Sequence, residues 1–317
     1  MKHLKRFILV MFVLVATAPV ASAQQMVLDV GAYIQAMDNG RINWDTGLVT
    51  AVGIGAPPEK AVNMAQARAM ARRAATVVAR RNLLEIIKGV QIDSATTVEN
   101  YIVTNDVILS QVNGFLQNSQ ILDTAYMSDG SVEVTVGINL RGGFAQVLIP
   151  ERLEFKPKAQ VVSPPPPPVY QPEPAPIAPA PIAPAPEPTP EKPSIPSAPT
   201  PGVAEAYTGL VVDARGLGAR PAMSPKVLDE NGVEVYGSAF VSREYAIQHG
   251  MAGYAKDIDK AVQQPRVADK PFVAKAMSAG GKAKTDLVIS NEFANKLRGV
   301  GQTQSFLEKC RVMIVLD

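Results

Sequence analysis

The chain has 317 residues, 47% of them hydrophobic but only 6% aromatic, which is enough for two domains of ordinary size with small aliphatic cores. Its formal charge of +2 gives no footprint for nucleic acid, and a single cysteine, Cys310, rules out an internal disulfide. Stability must therefore come from packing.

The first 23 residues have the parts of a secretory signal. Lys2, Lys5 and Arg6 make a basic start, an apolar run follows from Phe7 to Ala16, and Ala21-Ser22-Ala23 forms a small-residue cleavage site. The run is far shorter than the roughly 20 residues needed to span a bilayer, so the expected product is an exported protein beginning at Gln24 with no membrane-spanning segment. No cysteine follows the cleavage site to accept a lipid.

Residues 24 to 46 read as a lead-in carrying Trp44, the only tryptophan, and a turn at Asp38-Asn39-Gly40. Residues 47 to 54 are rich in β-branched side chains and read as a strand. The stretch that follows organises the domain. Gly53 and Gly55 suggest a tight turn, Pro57 and Pro58 fit the first helical positions, and Glu59 suits the positive end of the helix dipole. From Ala61 to Lys88 there is no glycine or proline, so a long helix is predicted, ending at Gly89.

At 100° per residue, Met64, Ala67, Ala71, Ala74, Ala75 and Val78 fall on one face, and Arg68, Arg72, Arg73 and Arg80 fall opposite. The first set is the predicted buried face. The arginines are the candidate partner-binding residues, able to meet an acidic protein surface, anionic lipid or glycan carboxylates. The competing reading is a solvated helix face partly neutralised by acidic neighbours, with Glu85 four residues after Arg81. Near the end of the helix, Leu83, Leu84, Ile86 and Ile87 predict more complete burial.

Residues 89 to 93 read as a short strand and 97 to 116 as a second helix. Two alternating runs, 121 to 127 and 132 to 140, flank Asp129-Gly130 and predict a hairpin. The result is an α+β domain over 24–156. Residues 157–202 hold nineteen of the 27 prolines, including Pro164 to Pro168, and form no core. As polyproline II they could span on the order of 140 Å.

A second α+β domain is predicted for 203–317. Its strands are 208–217, a hairpin about Glu230-Asn231-Gly232, 271–277, 285–290 and the apolar end 310–317. Helices are expected over 243–262 and from an Asn291 cap to Leu297. The two domains are expected to fold independently, because few contacts cross a proline-rich chain.

No constellation for catalysis, cofactor or metal binding emerges. His249 and Cys310 are the only members of a nucleophile-base pair of that type in the exported chain, on distant segments. Cys310, in an apolar run, reads as a core thiol. Gly53-Ile54-Gly55 lacks the third glycine of a dinucleotide turn, and Gly280-Gly281-Lys282 lacks the P-loop spacing.

The segments at 52–58, 67–101 and 129–140, above all the alanine-arginine helix, the Gly-Val-x-Ile-Asp run and the threonine pair, resemble the Lpp-twenty family of bacterial cell-envelope lipoproteins. That fold is also similar to domains of flagellar basal-disk and H-ring assembly proteins. The resemblance covers roughly residues 48–150 and implies a non-enzymatic scaffold or assembly protein, periplasmic or associated with the outer membrane. Its partners would be envelope proteins or peptidoglycan, oligomerisation being open. The alternative is a periplasmic module that recognises peptidoglycan or a small ligand through 203–317.

Overall fold

Asn63 starts the long helix, α1 (Met64–Lys88): its side chain accepts from the Gln66 N–H at 2.8 Å, while the Gln66 side chain accepts from the Val62 N–H. The Pro57-Pro58 pair does not open the helix. A residue before proline is pushed out of the α region, so helix begins only where a capping side chain is available. Glu59 consequently lies outside α1, whose first turn has no acidic residue.

The computed structural model describes residues 31–150, 153–155, 207–299 and 303–317. The expected signal peptide and proline-rich segment lie outside these residues. The fold is α+β with two halves, each built on its own sheet. In the first, β1 (Ile34–Met37), β2 (Gly40–Asn43), β3 (Leu48–Gly55), β4 (Gln120–Tyr126) and β5 (Val132–Asn139) are ordered β1-β2-β3-β5-β4, all antiparallel. The lead-in is thus a hairpin turning at Asp38-Asn39, and the Asp129-Gly130 hairpin is present, with Gly130 at φ +85°.

Helix α1 lies across β3 and β5. Its buried residues are Ala67, Ala71, Ala75, Ala79, Leu83, Ile86 and Ile87. Three residues of the predicted face are exposed instead: Met64, Ala74 and Val78. The buried alanines recur every four residues, a row that drifts around the helix rather than following one line of the wheel. Met64 also overhangs the sheet, because Gly55, the last residue of β3, is already level with Ala71. Gly53 and Gly55 sit within β3, not in a turn, and let the helix backbone approach: a Cβ on Gly53 would stand 2.2 Å from the Ala79 nitrogen.

Residues 89–93 do not form a strand. Only an isolated bridge joins Gln91 to Thr97, since Ile92 and Asp93 donate back to the Thr96 carbonyl. The expected helix over 97–116 is two, α2 (Val98–Val103) and α3 (Asp106–Gln117), capped by Thr97 and Asn105. Asn105 accepts from both Val107 and Ile108, and that local bond competes successfully with helix continuation. Helix α4 (Gly143–Leu148) completes this half.

The second half contains β6 (Gly209–Asp213), β7 (Val227–Leu228), β8 (Glu234–Tyr236), β9 (Gly253–Ala255), β10 (Pro271–Gly280), β11 (Asp286–Ile289) and β12 (Val312–Val315), ordered β8-β7-β11-β10-β6-β12-β9. Strands β10, β6, β12 and β9 are mutually parallel, and the middle two are almost wholly buried. The span 243–262 is not one helix. Gly250, at φ +74°, ends α5 (Arg243–His249), β9 follows, and α6 (Ile258–Val262) comes after it. Helix α7 (Asn291–Gly299) is capped by the Ser290 hydroxyl rather than Asn291, and α8 (Thr303–Glu308) precedes β12.

The turn of the β7–β8 hairpin is tied by Asp229, which accepts from the Asn231 and Val233 N–H groups and from Arg298, all at 2.9 Å. Burial opposes ionisation of this carboxyl, but those donors outweigh it and hold its pKa below the usual value. A folded-state pKa below the unfolded one, about 3.9, stabilises above that pH, and the gain is lost as pH falls through the folded value. Asp229→Asn is therefore expected to lower the urea midpoint at pH 6, with the gap from the parent chain narrowing progressively as pH falls below about 3.9.

The expectation that few contacts cross between the halves is corrected. Residues 31–155 and 207–317 form one compact unit, with one hydrophobic cluster running from Ile42 to Leu316. Trp44 packs edge-on against Tyr254 at 5.5 Å. Main-chain bonds join Met223 to Gln91, Ser224 to Ile92, Ala283 to Ser94 and Gly142 to Ile247. A proline-rich sequence between two folded segments does not by itself keep those segments apart.

Candidate interaction surface

Arg68, Arg72, Thr76 and Arg80 recur every four residues and so form a row on α1, one position around from the buried Ala67-Ala71-Ala75-Ala79 row. Arg80 fixes which way that row faces: its Nε donates to the Ser119 hydroxyl at 3.3 Å, immediately before β4. The row therefore looks toward the β4 edge. Arg73 falls outside it and points outward. Of the four candidate arginines, the structure aligns Arg68, Arg72 and Arg80, with Arg80 half-buried and the others exposed.

Among the described residues no carboxylate pairs with Arg68, Arg72 or Arg73. Glu85 does not neutralise Arg81 but pairs with Lys88 at 3.0 Å. In the row, exposed Arg68 and Arg72 retain their donors for a partner, and half-buried Arg80 commits only its Nε, to Ser119.

Beside the row, β4 is the outermost strand and pairs only with β5. Ile121, Leu122 and Tyr126 are each about half exposed, at 48%, 46% and 58%. A bulge around Leu122 shifts the register between Ile121 and Asp123, and the Leu122 side chain lies over Gly137. The outer N–H and C=O groups of this seven-residue strand have no backbone partner among the described residues. Edge strands are normally shortened, charged, bulged or covered; β4 has the bulge and one charge, Asp123, yet keeps three large apolar side chains about half exposed. The sequence signal for β4 was its alternation; whether a strand is interior or edge depends on sheet order, which local pattern does not encode.

The other candidates are structural. Cys310 is fully buried, and burial pushes its thiol up to about 12, so it presents no thiolate at neutral pH. It occupies a left-handed position, φ +54°, at the end of α8, where its N–H bonds to Leu307 and that of Arg311 to Phe306, a Schellman closure. His249 is exposed and lies beside the Tyr245 ring. Arg266 donates to the main-chain carbonyls of His249, Gly250 and Cys310, tying these segments together without making a nucleophile-base pair. We expect Cys310 in the folded chain to resist a thiol-specific aromatic disulfide and to react stoichiometrically in 8 M urea; rapid labelling without denaturant contradicts its burial.

At the junction, Arg141 donates to the Asp45 carbonyl, and burial together with the neighbouring Arg266 charge lowers its pKa to about 10. Gly281 is a left-handed turn residue against Ser94. A groove of about 1180 Å³ is lined mainly by the first half, including Tyr101, Gln111, Phe115 and Phe155. Its one contribution from 203–317, Arg243, is already committed: it lies 5.4 Å over the Phe155 ring and donates to the Ile149 carbonyl. Among the described residues no group of three His, Cys, Asp or Glu side chains is placed to hold a metal ion.

Residues 209–317 match the family model described as the second domain of Treponema pallidum Tp0624. No curated protein matches the chain. No helix among the described residues is long and apolar enough to cross a membrane.

Proposed function

We propose that this protein is an exported, non-enzymatic scaffold or assembly protein of the bacterial envelope, periplasmic or associated with the outer membrane, which docks another envelope protein along β4 and the α1 arginine row. The observation that carries the reading is the pairing of an open, apolar strand edge with an unneutralised cationic row beside it. The bulge and Asp123 blunt this edge only in part, since Ile121, Leu122 and Tyr126 stay exposed along it, the kind of apolar surface that marks an interaction site. The secretory pattern at residues 1–23 and the resemblance to Lpp-twenty lipoproteins and flagellar disk domains support the envelope setting, including a flagellum-related role.

A photo-crosslinking residue placed at Leu122 in the native host tests this. The expected result is a discrete adduct with an envelope protein in the periplasmic or outer-membrane fraction, absent when the crosslinker replaces the exposed Glu292 on α7. Recovery of the chain in the cytoplasm, or the same adducts from both positions, overturns the reading.

A further inference from the structure

Two alignments place the arginine row along the whole length of β4. At one end Arg80 reaches Ser119, the residue before the strand. At the other, a Cβ on Gly55 would meet the Ala71 carbonyl, and Gly55 is in register with Val132, which pairs with Tyr126. Ala71 and its neighbour Arg72 are therefore level with Tyr126. Arg72 and Arg80 are eight residues apart, about 12 Å along the helix. In an extended strand, residues four apart point to the same face and lie about 13 Å from each other.

We infer that the partner enters as an acidic extended segment, adding a sixth strand beside β4 with carboxylates at positions i and i+4 facing Arg72 and Arg80. This rests on the docking reading above and specifies the chemistry of what docks. Main-chain bonds to β4 supply affinity, and the carboxylates select the partner and its register, since exposed ion pairs contribute little by themselves. Ile121, Thr124 and Tyr126 share the helix-side face with Val136, Val134 and Val132, so the segment's one residue between the acids on that face, i+2, should be small or β-branched.

A second copy of this chain fits the edge poorly. Antiparallel pairing of two β4 strands end to end would set Asp123 opposite Asp123 and bring two arginine rows toward each other. Like charges directly opposite are destabilising. An acidic segment meets neither obstacle.

The test uses the chain purified from the envelope fraction and a fluorescein-labelled peptide of alternating valine and threonine with two glutamates four residues apart on one face. Saturable binding is expected, with slowed hydrogen exchange at the Gln120–Tyr126 amides. Replacing both glutamates by lysine, or making Arg72→Glu with Arg80→Gln in a chain of unchanged circular dichroism, should weaken it at least tenfold. No saturable binding, or binding that leaves the β4 amides unprotected, overturns the inference. Vesicles containing anionic lipid form a second arm: tight binding to them through the arginines without β4 protection would replace the strand by a membrane. Crosslinking at Leu122 would still report separately on the docking reading.

Discussion

Gly53→Val is expected to force apart the two layers of the first half. A Cβ at Gly53 would lie 2.2 Å from the Ala79 nitrogen and 2.4 Å from the Ala75 carbonyl oxygen, both helix backbone that no rotamer change can move aside. Either α1 lifts off β3 or the strand bends away, and both separate the layers that bury Ala71, Ala75, Ala79 and Leu83. Overpacking costs about 1–3 kcal/mol where side chains can adjust, so a clash with backbone should reach about 3 kcal/mol or more. Ala71→Leu, on the opposing surface, should fall within that lower range, whereas Arg72→Gln should cost less than about 0.5 kcal/mol. Gly114, inside α3, has nothing within 4 Å of its would-be Cβ, and Gly114→Ala should stabilise by about 0.5–1 kcal/mol. Urea denaturation would rank the four; a Gly53→Val midpoint equal to that of Arg72→Gln would mean that α1 does not press on β3 there.

Trp44→Ala should cost about 3–5 kcal/mol and weaken both halves together. Trp44 is 6% exposed, donates through Nε1 to Gln35 at 3.0 Å, and meets the Tyr254 ring at 70°. Tyr254 in turn donates to the Ala222 carbonyl and accepts from the Ala222 N–H, so the ring is held from the second half while the indole is held from the first. A double-mutant cycle with Trp44→Leu and Tyr254→Leu should return a coupling of about 0.5–1.5 kcal/mol, the usual worth of an aromatic pair beyond its buried area. Because the core is shared, ellipticity and Cys310 labelling should report one transition in the parent chain and one in the variant, at lower urea. Two separated transitions would show that the halves unfold independently after all.

The candidate surface was legible in part. Arg68, Arg72 and Arg80 stand at four-residue spacing in an evident helix, so their common row follows from helical geometry alone. Their relation to β4 does not, because it depends on which way α1 lies across the sheet and on β5 intervening between β3 and β4. The buried face of α1 was half right for a similar reason. Ala67, Ala71 and Ala75 were recognisable by size, but Met64 and Val78 are apolar side chains that extend past or beside the sheet, and hydrophobicity does not report where a sheet ends.

Local chemistry by itself determined the long helix, the Asp129-Gly130 and Asn231-Gly232 turns, the buried final strand and the α+β character of both halves. Each follows from propensity, periodicity or a positive-φ glycine acting over a few neighbouring residues. Only the tertiary structure decided that residues 89–93 would spend their backbone groups on Met223 and Ser224, that Trp44 would find Tyr254, and that β4 would be left at the edge. Those outcomes join residues more than one hundred positions apart in the chain or depend on strand order, and neither is written in the pattern of any one segment.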